Sequence, residues 1–198
     1  MTKRIALILI ALALLALIVG CSKPPEAEMQ KATSSMEAAK AAEAETYVPD
    51  SFNAANDTMN AANAAKQEQD SKFALFRSYG KAKEMYVKAD EMFTNVASEA
   101  AAEKEKVKTQ VQAQLAEAKA VLDSAAMELK KAPRGKGAKA DIALIQADLD
   151  AANTQYTDAE NMFNNGKYHD AQGAVGAVVQ KAHSVMDQIT AARANKAK

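Results

Sequence analysis

The 198-residue chain contains one cysteine, two histidines, four prolines, seven glycines and no tryptophan. A single cysteine excludes a disulfide within the chain and any metal site built from several thiolates. Few Pro and Gly residues leave few positions at which a helix must stop. Aromatic residues make up 5% of the sequence. These shortages predict thin cores and long helices without a disulfide framework.

Alanine is abundant, with 42 of the 178 residues that follow position 20. It is the best helix former because its side chain loses no entropy on folding. The composition therefore predicts an all-α protein. We expect elongated antiparallel helical hairpins or a bundle, with one long central helix and coiled-coil-like packing.

The charges are balanced. Removing Lys3 and Arg4 with the first 20 residues leaves 23 basic and 25 acidic residues, a net charge of −2. No basic patch dominates, so nucleic acid is not expected as a partner.

The N-terminus has the features of an export signal. Lys3 and Arg4 precede fifteen uninterrupted apolar residues, 5–19, which is short of the ~20 residues that a membrane-spanning helix needs. A plain secretory signal would end in small residues such as Ala-x-Ala, whereas the run ends in Ile18-Val19-Gly20-Cys21. This ending resembles the lipobox of bacterial lipoproteins.

The resemblance implies that residues 1–20 are a lipoprotein signal peptide and that Cys21 is lipidated with acyl chains such as palmitate. Several chains would anchor the protein stably to the membrane. Residues 21–25 would form the lipidated Cys and a short tether. Ser22, in place of the Asp that retains many lipoproteins at the inner membrane, favours the outer membrane, facing the periplasm of a bacterial envelope.

A single elongated helical domain is expected over residues 26–198, with hairpins at about 50–131 and 139–194. Asp50 or Ser51 is expected to cap the second helix, and Gly80 is the expected weak point of the third. Five helices are predicted: Glu26–Glu45, about Asp50–Gln69, about Lys72–Lys131, Lys139–Asn164 and about Lys167–Ala194.

Apolar residues recur at helical spacing along each predicted helix. The predicted stripes are Met29, Ala32, Met36, Ala39, Ala42; Phe52, Ala55, Met59, Ala62; Ala82, Met85, Ala89, Met92, Val96; Val107, Val111, Leu115, Ala118, Leu122, Ala125, Leu129; Ile142, Ile145, Leu149, Ala152, Tyr156, Ala159, Phe163; and Val175, Val178, Ala182, Val185, Ile189. Residues 132–137, with Pro133 and two glycines, predict a hairpin loop, and Gly166 predicts the next turn.

No residue pattern indicates catalysis. His169 and His183 are 14 residues apart, or ~21 Å along a continuous helix, so they cannot share a metal ion. Ser184 lies on a different helix face from His183 and forms no dyad. The sequence predicts no catalytic, cofactor-binding or metal-binding residue and no enzyme activity. Cys21 is the one predicted modification site.

Two further resemblances concern the helical part. Tyr47-Val48-Pro49, followed by Ala55, Ala62, Tyr79, Ala82 and Ala89, is similar to an uncharacterised family of alanine-rich bacterial lipoprotein domains. Residues 165–171, Asn-Gly-Lys-Tyr-x-x-Ala, resemble the turn and second-helix start of tetratricopeptide-like pairs. They imply paired helices, and no peptide-binding groove is carried over from them.

The functional hypothesis is a lipid-anchored, non-catalytic interaction or scaffold module, whose helical faces bind an envelope protein or a second copy. The alternative is a structural tether between the outer membrane and peptidoglycan. The small alanine-rich major outer-membrane lipoprotein links its last Lys to the cell wall, and this chain shares only the terminal Lys198. A carrier of small apolar ligands is disfavoured because an Ala-rich core leaves little room for a pocket.

Overall fold

The computed structural model describes residues 23–132 and 139–194. Within these ranges the chain forms six α-helices and one 3-10 turn, Ala74–Phe76, and contains no strand. The all-α prediction is confirmed. The helices are α1 Glu26–Ala41, α2 Ala44–Tyr47, α3 Pro49–Asp70, α4 Gly80–Lys130, α5 Lys139–Asn164 and α6 Tyr168–Ala194.

Several predicted features lie outside the described residues. These are the signal peptide 1–20, Cys21 with Ser22, residues 133–137 of the predicted hairpin loop, and the terminal residues 195–198. Among the described helices, none combines the length and the apolar character needed to cross a membrane.

The chain divides into two compact units, Met1–Ala101 and Ala102–Lys198, called here the first and second unit. The boundary between them falls within α4. The first unit contains α1, α2, α3 and the N-terminal part of α4. The second unit contains the remainder of α4 with α5 and α6.

The first helix is shorter than the predicted Glu26–Glu45. It ends at Ala41, and Glu43 adopts a left-handed conformation with φ 60°. The chain then forms the short helix α2, in which Ala44 and Tyr47 are buried. Burial of these two side chains gives a physical reason for the turn. If α1 continued without a break, Ala44 and Tyr47 would follow its axis and would not reach their buried positions.

The predicted capping of the second helix by Asp50 or Ser51 is wrong. Helix α3 begins at Pro49, and its N-cap residue, Val48, makes no side-chain cap hydrogen bond. Proline suits the first helical position because its fixed φ is already helical and its missing N–H would have no intrahelical partner. The predicted α3 stripe of Phe52, Ala55, Met59 and Ala62 is buried throughout.

An aromatic pair lies at the centre of the first unit. The rings of Phe52 on α3 and Phe93 on α4 meet edge to face, with centroids 5.8 Å apart. Tyr86, about two turns before Phe93 on α4, is fully buried, and its hydroxyl donates a hydrogen bond of 2.6 Å to Asn63 Oδ1. Aromatic rings thus fill space that the surrounding alanines leave open.

The second unit has a core of Val, Leu, Ile and Ala side chains, as the sequence predicts. Two complete stripes are buried: Val107, Val111, Leu115, Ala118, Leu122, Ala125 and Leu129 on α4, and Val175, Val178, Ala182, Val185 and Ile189 on α6. Helix α5 has the predicted bounds, Lys139–Asn164, and packs against α6.

The turn between α5 and α6 is confirmed at Gly166, which has φ 77°. The amide of Gly166 donates to Phe163 O, and the amide of Lys167 donates to Met162 O, both at 3.0 Å. This is a Schellman motif, in which the residue after the helix adopts the left-handed conformation that glycine tolerates best.

Candidate functional site

The loop between α3 and α4 departs most clearly from the predicted fold. A helix was expected to start at about Lys72, whereas residues 71–79 form a loop around the 3-10 turn and α4 begins at Gly80. We call this segment the α3–α4 loop. Gly80, the expected weak point of a longer helix, is instead the first residue of α4.

Hydrogen bonds from polar side chains hold the α3–α4 loop in place. The Arg77 guanidinium donates from Nη2 to Asp70 O and from Nε to Lys72 O, each at 2.9 Å. The amide of Ser78 donates to Gln69 Oε1 at 3.1 Å. These bonds occupy backbone groups that a continuous helix would have paired internally, and they are the physical reason for the break.

Tyr79 closes the base of the α3–α4 loop. Its hydroxyl donates a hydrogen bond of 2.6 Å to Asp70 Oδ1, while Lys66 Nζ lies 2.8 Å from Asp70 Oδ2. The hydrogen bond from Lys66, followed by that from Tyr79, holds the pKa of Asp70 below its ordinary value. The ring of Tyr79 is buried.

The same loop exposes three large apolar side chains, which we call the apolar tip. Phe73 is 69% exposed, Leu75 48% and Phe76 76%. The two rings lie 6.3 Å apart between centroids. Isolated apolar side chains are common on protein surfaces, but three within four residues form a cluster that indicates a contact surface.

A second exposed apolar position lies in the second unit. Leu144 on α5 is 69% exposed and lines an open groove of about 280 Å³. We call this the α5–α6 groove. Its lining residues are Asp141, Leu144, Ile145, Gln188, Ala191 and Ala192.

A polar contact beside the α5–α6 groove links its two helices. Lys181 Nζ lies 2.5 Å from Asp148 Oδ1, and Gln188 Nε2 donates to Asp148 Oδ2 at 3.0 Å. The hydrogen bond from Lys181, followed by that from Gln188, lowers the pKa of the Asp148 carboxyl. Asp148 on α5 is therefore bound by two side chains of α6 beside the groove.

Another open cavity in the second unit, about 330 Å³, is lined by α4 and α6 residues that include Val121, His183 and Met186. Among its lining residues, the titratable side chains are those of His183 and Glu117. Both His169 and His183 are exposed. Over the two described ranges, no three His, Cys, Asp or Glu side chains are placed to hold a metal ion.

Asp90 is the buried carboxylate that sequence reasoning missed. Ser35 Oγ donates to Asp90 Oδ1 at 2.5 Å, and Lys31 Nζ lies 2.7 Å from Asp90 Oδ2. An open cavity of about 440 Å³ adjoins this group. Both carboxylate oxygens already have partners from α1, so the arrangement supports helix packing and not proton transfer to a substrate. A lone Asp on the apolar face of α4 was the available signal.

No protein-family model, curated protein or solved structure matches this chain. Besides the cavity beside His183, the described residues present the apolar tip and the α5–α6 groove on helical units whose buried groups are largely paired. Such surfaces can bind other molecules, and their side chains offer no arranged nucleophile, acid or base.

Proposed function

We propose that this protein is a lipid-anchored periplasmic lipoprotein of a bacterial envelope and acts as a non-catalytic interaction module. The α5–α6 groove is the observation that carries this proposal. It combines an exposed leucine with the small side chains of Ala191 and Ala192, which let another backbone approach closely. The lipobox-like sequence at Cys21 supports the anchor.

The occupant that best fits the α5–α6 groove is an amphipathic helix of an envelope protein. Helices bind in grooves of this kind through apolar side chains spaced three or four residues apart. Asp141 at the groove offers a polar partner to the flank of such a helix. The rigid helix pair presents the groove without a folding step, which limits the entropy lost on binding.

A site-specific photo-cross-linker in intact cells tests the interaction. Placed at Leu144, it should yield a reproducible adduct with one envelope protein, identified by mass spectrometry. The matched control is the same cross-linker at Gln146, an exposed α5 residue on the other side of the helix. Ala191→Arg should abolish the Leu144 adduct because the long side chain would fill the groove.

The alternatives give different adducts. Cross-linking to a second copy of the chain would indicate self-association and not binding of a different envelope protein. Muropeptide attached to Lys198 would favour the tether between outer membrane and peptidoglycan. Equal labelling from Leu144 and Gln146, insensitive to Ala191→Arg, would contradict the groove as the binding site.

The anchor is tested separately. Metabolic labelling with a palmitate analogue should label the wild-type protein but not Cys21→Ala, and Cys21→Ala should leave the membrane fraction. Unchanged fractionation of Cys21→Ala would contradict lipid anchoring, whatever the cross-linking experiment shows.

A further inference from the structure

We infer that the apolar tip of the α3–α4 loop is a second membrane-contact site, which inserts Phe73, Leu75 and Phe76 into the interface of an anionic phospholipid bilayer. This contact is independent of the acyl chains on Cys21. It would hold the first unit against the membrane surface.

Exposure and side-chain type are the first argument. Phe73 and Phe76 have most of their surface in water, and Leu75 has about half. Aromatic and leucine side chains on an otherwise polar surface are typical of segments that bury a few ångströms into the headgroup and acyl boundary. Most other large apolar side chains of the two flanking helices, such as Phe52, Tyr86 and Phe93, are buried.

The loop backbone is the second argument. Unpaired backbone groups are costly near hydrocarbon. Here the Phe76 amide donates to Phe73 O at 2.9 Å, and the Arg77 guanidinium binds the carbonyls of Asp70 and Lys72. The turn that carries the apolar tip is thus formed before contact, and insertion requires little ordering of the chain.

Charge complementarity is the third argument, and it selects an anionic surface. Residues 66–83 contain five cations (Lys66, Lys72, Arg77, Lys81 and Lys83) and two anions (Glu68 and Asp70). With Glu28, which forms an ion pair with Lys83, five cations against three anions leave a net charge of +2. Residues 21–198 as a whole carry −2. Basic residues beside apolar anchors strengthen binding to anionic lipid and lose that effect in salt.

The area of the tip argues against a second copy as the occupant. The three side chains expose roughly 400 Å² together, about half of the roughly 800 Å² per partner that a standard protein interface buries. A bilayer needs no complementary surface and accepts a few inserted side chains. We therefore assign the tip to lipid.

Vesicle binding tests this inference without the lipid anchor. The mature chain 21–198 with Cys21→Ala keeps every described residue, and its folding is checked by circular dichroism. It should sediment with vesicles of phosphatidylglycerol and phosphatidylethanolamine, and less with phosphatidylcholine vesicles. The double variant Phe73→Ser/Phe76→Ser should bind at least about tenfold more weakly, since both inserted rings are lost.

Two matched variants control for general loss of apolar surface. Met127→Ser removes an exposed methionine from the second unit, and Val87→Ser removes an exposed valine from α4. Both should bind anionic vesicles like the parent. Because the chain has no tryptophan, Leu75→Trp places a single fluorescent reporter in the tip, and its emission should shift to shorter wavelength when vesicles are added.

Parent-like binding of Phe73→Ser/Phe76→Ser, or an unshifted Trp emission, would overturn the membrane contact. Concentration-dependent dimerisation that the double variant abolishes, with no vesicle binding, would assign the tip to a second copy instead. Neither result bears on lipidation of Cys21, because the tested chain carries no acyl group.

Discussion

Lys31 on α1 forms an ion pair with a buried carboxylate of α4: its Nζ lies 2.7 Å from Asp90 Oδ2. The two partners differ greatly in environment, since the Asp90 side chain is 8% exposed and that of Lys31 is 75% exposed. The carboxylate has therefore lost most of its water, while the ammonium group keeps its own. Removal of Asp90 and removal of Lys31 should therefore change the free energy of unfolding by different amounts.

Asp90→Ala should destabilise the protein by about 1–3 kcal/mol, the range for removing a buried group that makes charged hydrogen bonds. It also leaves Ser35 Oγ without its acceptor. Urea unfolding followed by circular dichroism measures the change. Glu91→Ala, at the neighbouring exposed position of α4, is the matched control. Equal midpoints for the two variants would contradict a structural role for Asp90.

Acidification should weaken the protein partly through Asp90. Burial is the largest single influence and raises the pKa of this carboxyl, but the hydrogen bonds from Lys31 and Ser35 outweigh it and hold the pKa below the ordinary value. A carboxyl with a lowered folded-state pKa stabilises the fold above its unfolded-state pKa. That contribution is lost as the pH falls through the folded-state pKa.

Lys31→Met should reduce this acid sensitivity. Removal of the ammonium group raises the pKa of Asp90 and lowers stability near neutral pH, so less remains to be lost in acid. The measurement is the urea midpoint at about pH 7 and about pH 3. Lys40→Met, at an exposed α1 position, should retain the wild-type difference. Identical pH differences in the wild type and Lys31→Met would refute the assignment.

Phe93→Ala should destabilise the protein by about 3–5 kcal/mol, because deletion of a fully buried ring leaves a cavity that its neighbours fill only in part. Phe52 would also lose its edge-to-face contact with the ring. Val87→Ala, at an exposed position of the same helix, should change the urea midpoint little. A loss for Phe93→Ala below about 1 kcal/mol would mean that this core readily collapses around the deletion.

Two glycines in or beside α6 should respond to alanine with opposite signs. Gly166→Ala should cost about 1 kcal/mol, because φ 77° is unfavourable for an L residue with a Cβ. Gly173→Ala, inside α6, should stabilise by about 0.5–1 kcal/mol. No atom lies within 4 Å of a Cβ added at either position, so neither change introduces a clash. Thermal unfolding of both variants is the measurement, and a shift of the same sign in both would contradict this account.

A break after about Gln69 was predicted, but the extension of the α3–α4 loop to residue 79 was beyond sequence prediction. Residues 71–79 contain no Gly or Pro, and their apolar residues suit a helix. The break depends on Arg77 and Gln69, whose side chains bind backbone groups several residues away along the chain. The helix propensities of individual residues do not include hydrogen bonds of this kind. Phe73 and Phe76 were therefore expected to open a helix and are instead the exposed tip of a loop.

The buried face of α4 in the first unit was predicted one residue out of register at two positions. Met85 and Met92 were expected to be buried with Ala82, Ala89 and Val96, but Tyr86 and Phe93 occupy the fully buried positions and the methionines are half-buried. Both stripes have helical spacing, so periodicity alone could not choose between them. The seven-residue spacing of Tyr79, Tyr86 and Phe93 was the available signal.

The sequence by itself determined the helical class, the bounds of α5, the turn at Gly166 and the buried stripes of α6 and of the second-unit part of α4. These follow from alanine's helix propensity, from a period near 3.6, and from a left-handed position that glycine fills, all properties of neighbouring residues along the chain. In the predicted α5 stripe, Ile142, Tyr156 and Phe163 are half-buried. Only the tertiary structure decided the loop at 71–79, the face that α4 buries against Phe52, and the burial of Asp90. The last two depend on side chains brought together from different helices, and the loop depends on hydrogen bonds between residues five to nine positions apart. In each case the position of the partner, and not local propensity, decides which conformation has the lower free energy.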